Sequence, residues 1–293
     1  MTANGNNGMT ATSLLEFNGE ELKQDFGRLP FLIKHNLVNH PAFQLEALAA
    51  LAKRLPPASV EYNAGNLAPT QDPSQTPQNG LSVEETVRRI REKSSWMVLK
   101  NVQQDPEYGA LLDQCLDELR RYTEDVEPGM TRREGFIFIS SPNAVTPFHM
   151  DPEQNFLLQV QGNKWVHQWD RNDRVVISEA DIERFHAFAP HRNLPYQERF
   201  EQRARVFELT PGQGLHFPSM VPHWVKNGSE ASVSFSITFR TRHTVQAVEI
   251  YKVNEWLRRY GLRPTPPGRS LLVDRTKWNV ARVIERVRRR ASA

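Results

Sequence analysis

Cys115 is the single cysteine among 293 residues. An intrachain disulfide is therefore excluded, and a reducing compartment fits. Long apolar runs are missing as well: no stretch approaches the roughly 20 residues that a membrane-spanning helix needs. Residues 1–8 lack the charged-then-apolar order of a signal peptide. The expectation is a disordered leader over residues 1–16 of a cytoplasmic protein without a membrane segment. A strong charge of one sign is absent too, since a formal net charge of +3 does not by itself point to nucleic acid. No internal repeat is present, which argues against solenoid and propeller arrays.

A hydrophobic fraction of 39% and six tryptophans support a sizeable core. From Gly135 onwards short β-forming runs (136–139, 155–160, 164–170, 205–209, 215–217, 224–227, 232–240) are separated by Gly, Pro and Asn turns. That spacing predicts a small all-β barrel over residues 135–243. Ahead of it, residues 18–39 read as an extended lead-in and 41–55 as an amphipathic helix stopped by Pro56-Pro57. Residues 67–80 form a Pro/Gln/Asn-rich loop, and Ser82 with Glu85 is a capping box. A buried strand covers 96–100, and Asp105-Pro106 opens a helix with Tyr108, Leu111, Cys115, Leu119 and Tyr122 along one side. Cys115 thus reads as core rather than nucleophile. Ser178 and Asp181 start a helical insert that leads through His186 and His191. Two amphipathic helices follow the barrel, and their outer face is basic from Arg258 to Arg290. The class is α+β, divided at 1–16, 17–134, 135–243 and 244–293.

The stretch from Asn143 to Lys164 carries the chemistry. His149 and Asp151 sit two apart, so on a strand both side chains point to one face. His223 follows much later, and it can join them only if the chain folds back. Two imidazoles and one carboxylate form the facial set of non-haem Fe(II) oxygenases, but Mn, Co, Ni and Zn also accept these donors. Beyond a Gly162-Asn163 turn, Lys164 offers a cation for the far carboxylate of a dicarboxylate co-substrate. Thr146 offers a hydroxyl to the same group, and Asn155 is an amide in an otherwise apolar strand that needs a partner when buried. The plain alternative is two core histidines and a turn aspartate. His35 and His40 read as structural or exposed and His216 as buried and hydrogen-bonded. Trp224 reads equally as pocket wall or as core.

Asn143, Val145, Thr146, Pro147, His149 and Asp151, then Gln154, Asn155, Phe156, Gln159, Gly162 and Lys164, together resemble the JmjC/cupin-like Fe(II)- and 2-oxoglutarate-dependent dioxygenases. Within them the likeness is greatest to the branch of the asparaginyl hydroxylase that inhibits hypoxia-inducible factor. The resemblance spans about 135–240 and implies a double-stranded β-helix with flanking N- and C-terminal helices. It implies Fe(II) on His149, Asp151 and His223, 2-oxoglutarate held by Lys164 and Thr146, and Asn155 as a supporting polar contact. It also implies a homodimer built on the C-terminal helices. One departure is that Ser234, Ser236 and Thr238 occupy the last core strand where that branch has an Asn; a hydroxyl there could replace the amide. The expected activity is hydroxylation of a protein side chain or a small molecule. The alternative is a non-catalytic metal- or ligand-binding regulator that touches DNA through its basic tail. That tail carries no reading motif, so nucleic acid is not the expected partner.

Overall fold

In the computed structural model, residues 13–72, 75–92, 94–188 and 192–291 are described. Twelve strands form two antiparallel sheets. The larger contains, in spatial order, β1 (Leu15–Glu16), β2 (Leu32–His35), β10 (Gln213–Phe217), β7 (Gln154–Gln161), β12 (Ser232–Arg240), β5 (Thr131–Ser140), β4 (Ser95–Lys100) and β3 (Val60–Ala64). The smaller contains β6 (Val145–His149), β11 (His223–Asn227), β8 (Lys164–Gln168) and β9 (Arg205–Leu209). Each sheet is open, with edges at its outer strands, so the barrel expected from the strand spacing is two facing sheets joined by their cores.

Strand β12 explains how the large sheet is buried on both sides. Its sequence alternates hydroxyl and apolar residues with period two. Val233, Phe235, Ile237 and Phe239 face the main core with Phe156 and Leu158 of β7 and Ile137 and Ile139 of β5. That face is covered by α1 (Gly19–Asp25), α2 (Leu45–Arg54) and α4 (Pro106–Thr123), which contribute Leu22, Leu48, Leu51, Leu112 and Leu116. Ser234 and Ser236 face the small sheet instead. Their hydroxyls donate to the amide oxygens of Gln159 (2.7 Å) and Asn155 (2.8 Å), giving each buried oxygen a partner. The sheets meet through Leu157, Val166, Leu215, Phe217 and Val225.

Several expectations change. Residues 18–39 are not a plain lead-in: Asn18 caps α1 by accepting from Glu20 and Glu21 amides, and only 32–35 are extended. Within the expected leader, Leu15–Glu16 pair with β2, while residues 1–12 lie outside the described residues. The N-terminal region does more than pack on the sheet, since β2 hydrogen-bonds to β10 and β4 to β5. Cys115 is buried in the core, and burial pushes its thiol up to about 12. Both capping boxes form, opening α3 (Val83–Arg88) and α5 (Glu179–Phe188). His191 lies outside the described residues. The chain ends in α6 (Arg242–Arg259) and α7 (Leu271–Ala291), and among the described residues no helix is long and apolar enough to cross a membrane.

Gly162 makes the turn from β7 to β8. Its φ of 69° lies in the left-handed region, and an added Cβ would sit 2.5 Å from the Ala231 carbonyl oxygen. Gly162→Ala is therefore expected to destabilise the fold by about 1–3 kcal/mol, read as a lower midpoint in urea unfolding. An unchanged midpoint would show that the turn relaxes.

Candidate metal centre

His149 ends β6, His223 begins β11, and the two are directly paired across the strands. Their rings lie 4.0 Å apart by centroid. Asp151 follows two residues beyond His149, and its Oδ2 lies 4.0 Å from His149 Nε2 and 3.8 Å from His223 Nε2. Two metal–ligand bonds of about 2.1 Å span at most about 4.2 Å, so one ion can reach all three atoms. Among the described residues this is the group of three such side chains whose ligand atoms converge within 4.8 Å.

The tautomers suit metal binding. His149 Nδ1 lies 2.7 Å from the Pro147 carbonyl and His223 Nδ1 2.9 Å from the Val221 carbonyl. A carbonyl only accepts, so each Nδ1 must carry the proton, leaving the Nε2 lone pair free to ligate. Burial, reinforced by the neighbouring His149, pushes His223 down to about 3, which keeps it in the neutral ligating form. Burial opposes the charge of Asp151. Arg192 and the two histidines outweigh it and hold the carboxyl well below its usual range.

Sequence reasoning did not find Arg192. Its Nη1 donates to Asp151 Oδ1 at 2.5 Å and to Glu153 at 3.0 Å, and Glu153 also takes a 2.8 Å bond from Arg240. One oxygen of Asp151 is thereby engaged and the other is left facing the imidazoles. Arg192 belongs to an irregular segment, where no period marks it out. The backbone adds a second restraint: Met220, at φ 71°, donates its N–H to the Asp151 carbonyl at 2.7 Å. This ties the turn before His223 to the turn after His149.

A small cavity of about 40 Å³ runs inward from these ligands. Thr146, Asn155 and Lys164 line it, so the sequence-chosen polar residues and the triad share one space. Phe138, Leu157, Phe217 and Val225 supply its apolar walls, and Ser140 adds a hydroxyl. Alternation along β5 from Phe138 was the available signal for Ser140. Asn155 accepts from Ser236 through Oδ1. The proposed substitute hydroxyls are thus engaged elsewhere, because Ser234, Ser236 and Thr238 bond to Gln159, Asn155 and the Glu134 carbonyl. Trp224 points away from the cavity, as its neighbour His223 points in; it stacks on His167 and packs with Phe148, Trp169 and Phe200. His216 is buried, bonding the Asn155 carbonyl through one nitrogen and the Gly27 amide through the other.

Lys164 is 3% exposed, and among the described residues no hydrogen bond or ion pair reaches its ammonium. Burial alone pushes it down to about 7. An unpaired buried cation is costly, and an anion in the cavity would offset that cost. Wider clefts of about 410 and 470 Å³ lie beside α2 and α3, but among the described residues no converging metal-ligating group occupies them.

Comparison with known proteins gives two findings. The profile of the cupin-like domain family matches residues 26–244. A solved structure of Escherichia coli YcfD is similar in fold, at 18% identity and a TM-score of 0.54, over 92% of this chain and 67% of that one. Structures of YcfD, described as a ribosomal oxygenase, in complex with cobalt and 2-oxoglutarate or with cobalt and succinic acid match at 17% identity. Their TM-scores are 0.52 and 0.51, with the same 92% and 67% coverage. The chain thus spans about two thirds of their length.

The unfolded chain keeps the Lys164 proton to about 10.5, whereas the folded protein releases it near 7. Unfolding takes up a proton in that window, so this residue makes stability rise as pH increases through it. Without ligand, Lys164→Met is expected to be more stable than the parent protein at pH 7 and to lose that rise. Urea titrations at the two ends of the window check this; parallel curves for the two proteins would contradict it.

Proposed function

The chain belongs to the cupin-like domain family, and we propose that it is an Fe(II)- and 2-oxoglutarate-dependent oxygenase. The observation that carries the reading is one cavity holding both the His149, Asp151 and His223 donor set and the unpaired, buried Lys164. Cobalt, 2-oxoglutarate and succinate in the structurally similar YcfD support the same pair of ligands here. Strands β5 to β12 alternate between the two sheets except for the β8–β9 pair within the smaller one, which supports reading the core as a double-stranded β-helix of the cupin kind.

The donor set fits Fe(II), with two neutral imidazoles and one carboxylate leaving positions open for co-substrate and oxygen. Bound there with 2-oxoglutarate, the metal would supply oxygen activation coupled to decarboxylation of the co-substrate. The chain's own residues do the positioning. Lys164 pairs with the far carboxylate of 2-oxoglutarate, and the Thr146 hydroxyl donates to it. Asn155, fixed by Ser236, presents its amide nitrogen towards the cavity. Phe138, Leu157 and Phe217 keep water from the walls, which strengthens the Lys164 ion pair. Arg192 keeps Asp151 ionised and oriented, so the carboxylate offers one oxygen rather than two.

For the substrate, the description of YcfD as a ribosomal oxygenase supports a macromolecule over a free metabolite, and a protein side chain is the form we propose. This is also the substrate class of the asparaginyl hydroxylase branch that the sequence resembles. The single buried cysteine supports a cytoplasmic setting. A homodimer through α6 and α7 is supported by their uncovered apolar residues, among them Leu271 (87% exposed), Leu272 (77%) and Trp256 (53%). An isologous pair needs only this one patch, used twice.

Anaerobic titration with Fe(II) and then 2-oxoglutarate, followed by the charge-transfer absorption of the chelate, tests the site. His149→Ala is expected to abolish the band. Lys164→Ala should weaken 2-oxoglutarate by roughly two orders of magnitude, the usual loss when one partner of a buried charge pair is removed. Folded protein without a band would overturn the oxygenase reading and favour a non-catalytic binding protein. Light scattering should give twice the chain mass, falling to a single chain in a Leu271→Asp, Val283→Asp variant.

A further inference from the structure

Beside the metal centre lies a second cleft, of about 260 Å³, which no role described so far employs. It opens where β8 and β9 approach the segment leading into β2. Arg28, Arg171, Arg203 and Arg205 line it, with Asp170 as the acidic member. Arg203 is paired with Asp173. Arg28, Arg171 and Arg205 have no carboxylate partner among the described residues. Arg171 donates only to the carbonyls of Ser219 (3.1 Å) and Gly27 (2.9 Å), and Arg205 lies over the Phe207 ring. Guanidinium groups left unpaired around one concave space make a receptor for an oxyanion.

Gln168 provides the independent observation. It is 1% exposed, it forms part of the lining, and among the described residues neither its amide oxygen nor its amide nitrogen has a partner. Buried amides are rarely left so, and a ligand in the cleft would satisfy this one. Gln168 is also paired directly with His223 on β11 and with Arg205 on β9. Directly opposed residues lie about 5 Å apart by Cα, so the cleft begins one strand away from a metal ligand.

We propose that this cleft is a subsite for an acidic side chain of a protein substrate, whose carboxylate is held by Arg28, Arg171 and Arg205 with the Gln168 amide. Leu29, Pro30 and Val221 complete the lining, which suits a carboxylate on a short aliphatic stem. A phosphodiester backbone tracks an extended surface of one charge sign, whereas the basic lining here is confined to one cleft. Placing the cleft in a substrate groove rests on the oxygenase reading; its affinity for a carboxylate does not.

The test is a ligand-observed NMR titration of the metal-free full chain at fixed ionic strength, with N-acetyl-glutamate amide as probe. N-acetyl-glutamine amide and methyl phosphate are the comparison arms. The expected result is saturable binding of the glutamate probe, weaker by roughly tenfold or more for the glutamine probe. The Arg28→Ser, Arg205→Ser double variant, altered only at exposed positions, should lose as much, and Gln168→Leu should weaken binding several-fold. Lys164→Ala should bind the probe as the parent protein does, separating this cleft from the co-substrate cavity. Absence of binding, equal binding of the glutamine probe, or indifference to the arginine double variant would overturn the proposal. Tighter binding of methyl phosphate would overturn it in favour of a phosphate ligand. Because no metal is present, the subsite can stand while the Fe(II) titration fails, and the reverse.

Discussion

Strand β11 is hydrogen-bonded on both edges, to β6 and to β8, and its register sets His223 opposite His149 and Gln168, and Asn227 opposite Lys164. Since opposed residues share a face, one short strand aligns the metal donors at one end of the cavity and the buried ammonium at the other. The spacing of the site thus follows from backbone pairing and owes little to side-chain flexibility. A slip by one residue would turn His223 outwards and bring Trp224 into the cavity.

Polar side chains on the inner face carry a cost that the fold offsets locally. Gln159 is held by Ser232, Ser234 and the Gly162 carbonyl, and Asn155 by Ser236. The hydroxyls of β12 thus serve the amides of β7, while the apolar residues between them fill the helix-covered core. The half-buried Asp151 and the buried Glu153 are carboxylates answered by Arg192 and Arg240. Lys164 alone in this group has no answer within the described residues. Among the described residues, unanswered polar groups lie in two adjoining spaces, Lys164 in one and Gln168 in the other, at a local cost in stability.

Much of the site could be read in the sequence because its signals are local. His149 and Asp151 are two residues apart on a strand, and the Gly162 turn announces Lys164, so composition and alternation alone bring them into view. The capping boxes at Ser82 and Ser178 and the core position of Cys115 were legible for the same reason. Arg192 was not: it lies in irregular chain, and its importance comes from a carboxylate 41 residues away. Trp224 and the β12 hydroxyls were ambiguous because a strand shows which residues alternate but not which face looks inward. The helix at Gly19–Asp25 was missed, since its seven residues are too few for a clear apolar period.

The sequence by itself determined the kinds of donor available, two imidazoles, a carboxylate and a lysine at strand spacings, because residue type and i, i+2 alternation are properties of the chain alone. Tertiary structure decided what they amount to. It brought His223 within 3.8 Å of Asp151, enclosed Lys164 without a partner among the described residues, and set around Gln168 arginines that no described carboxylate answers. Those features depend on long-range strand register and on burial, which arise only when distant segments share one sheet.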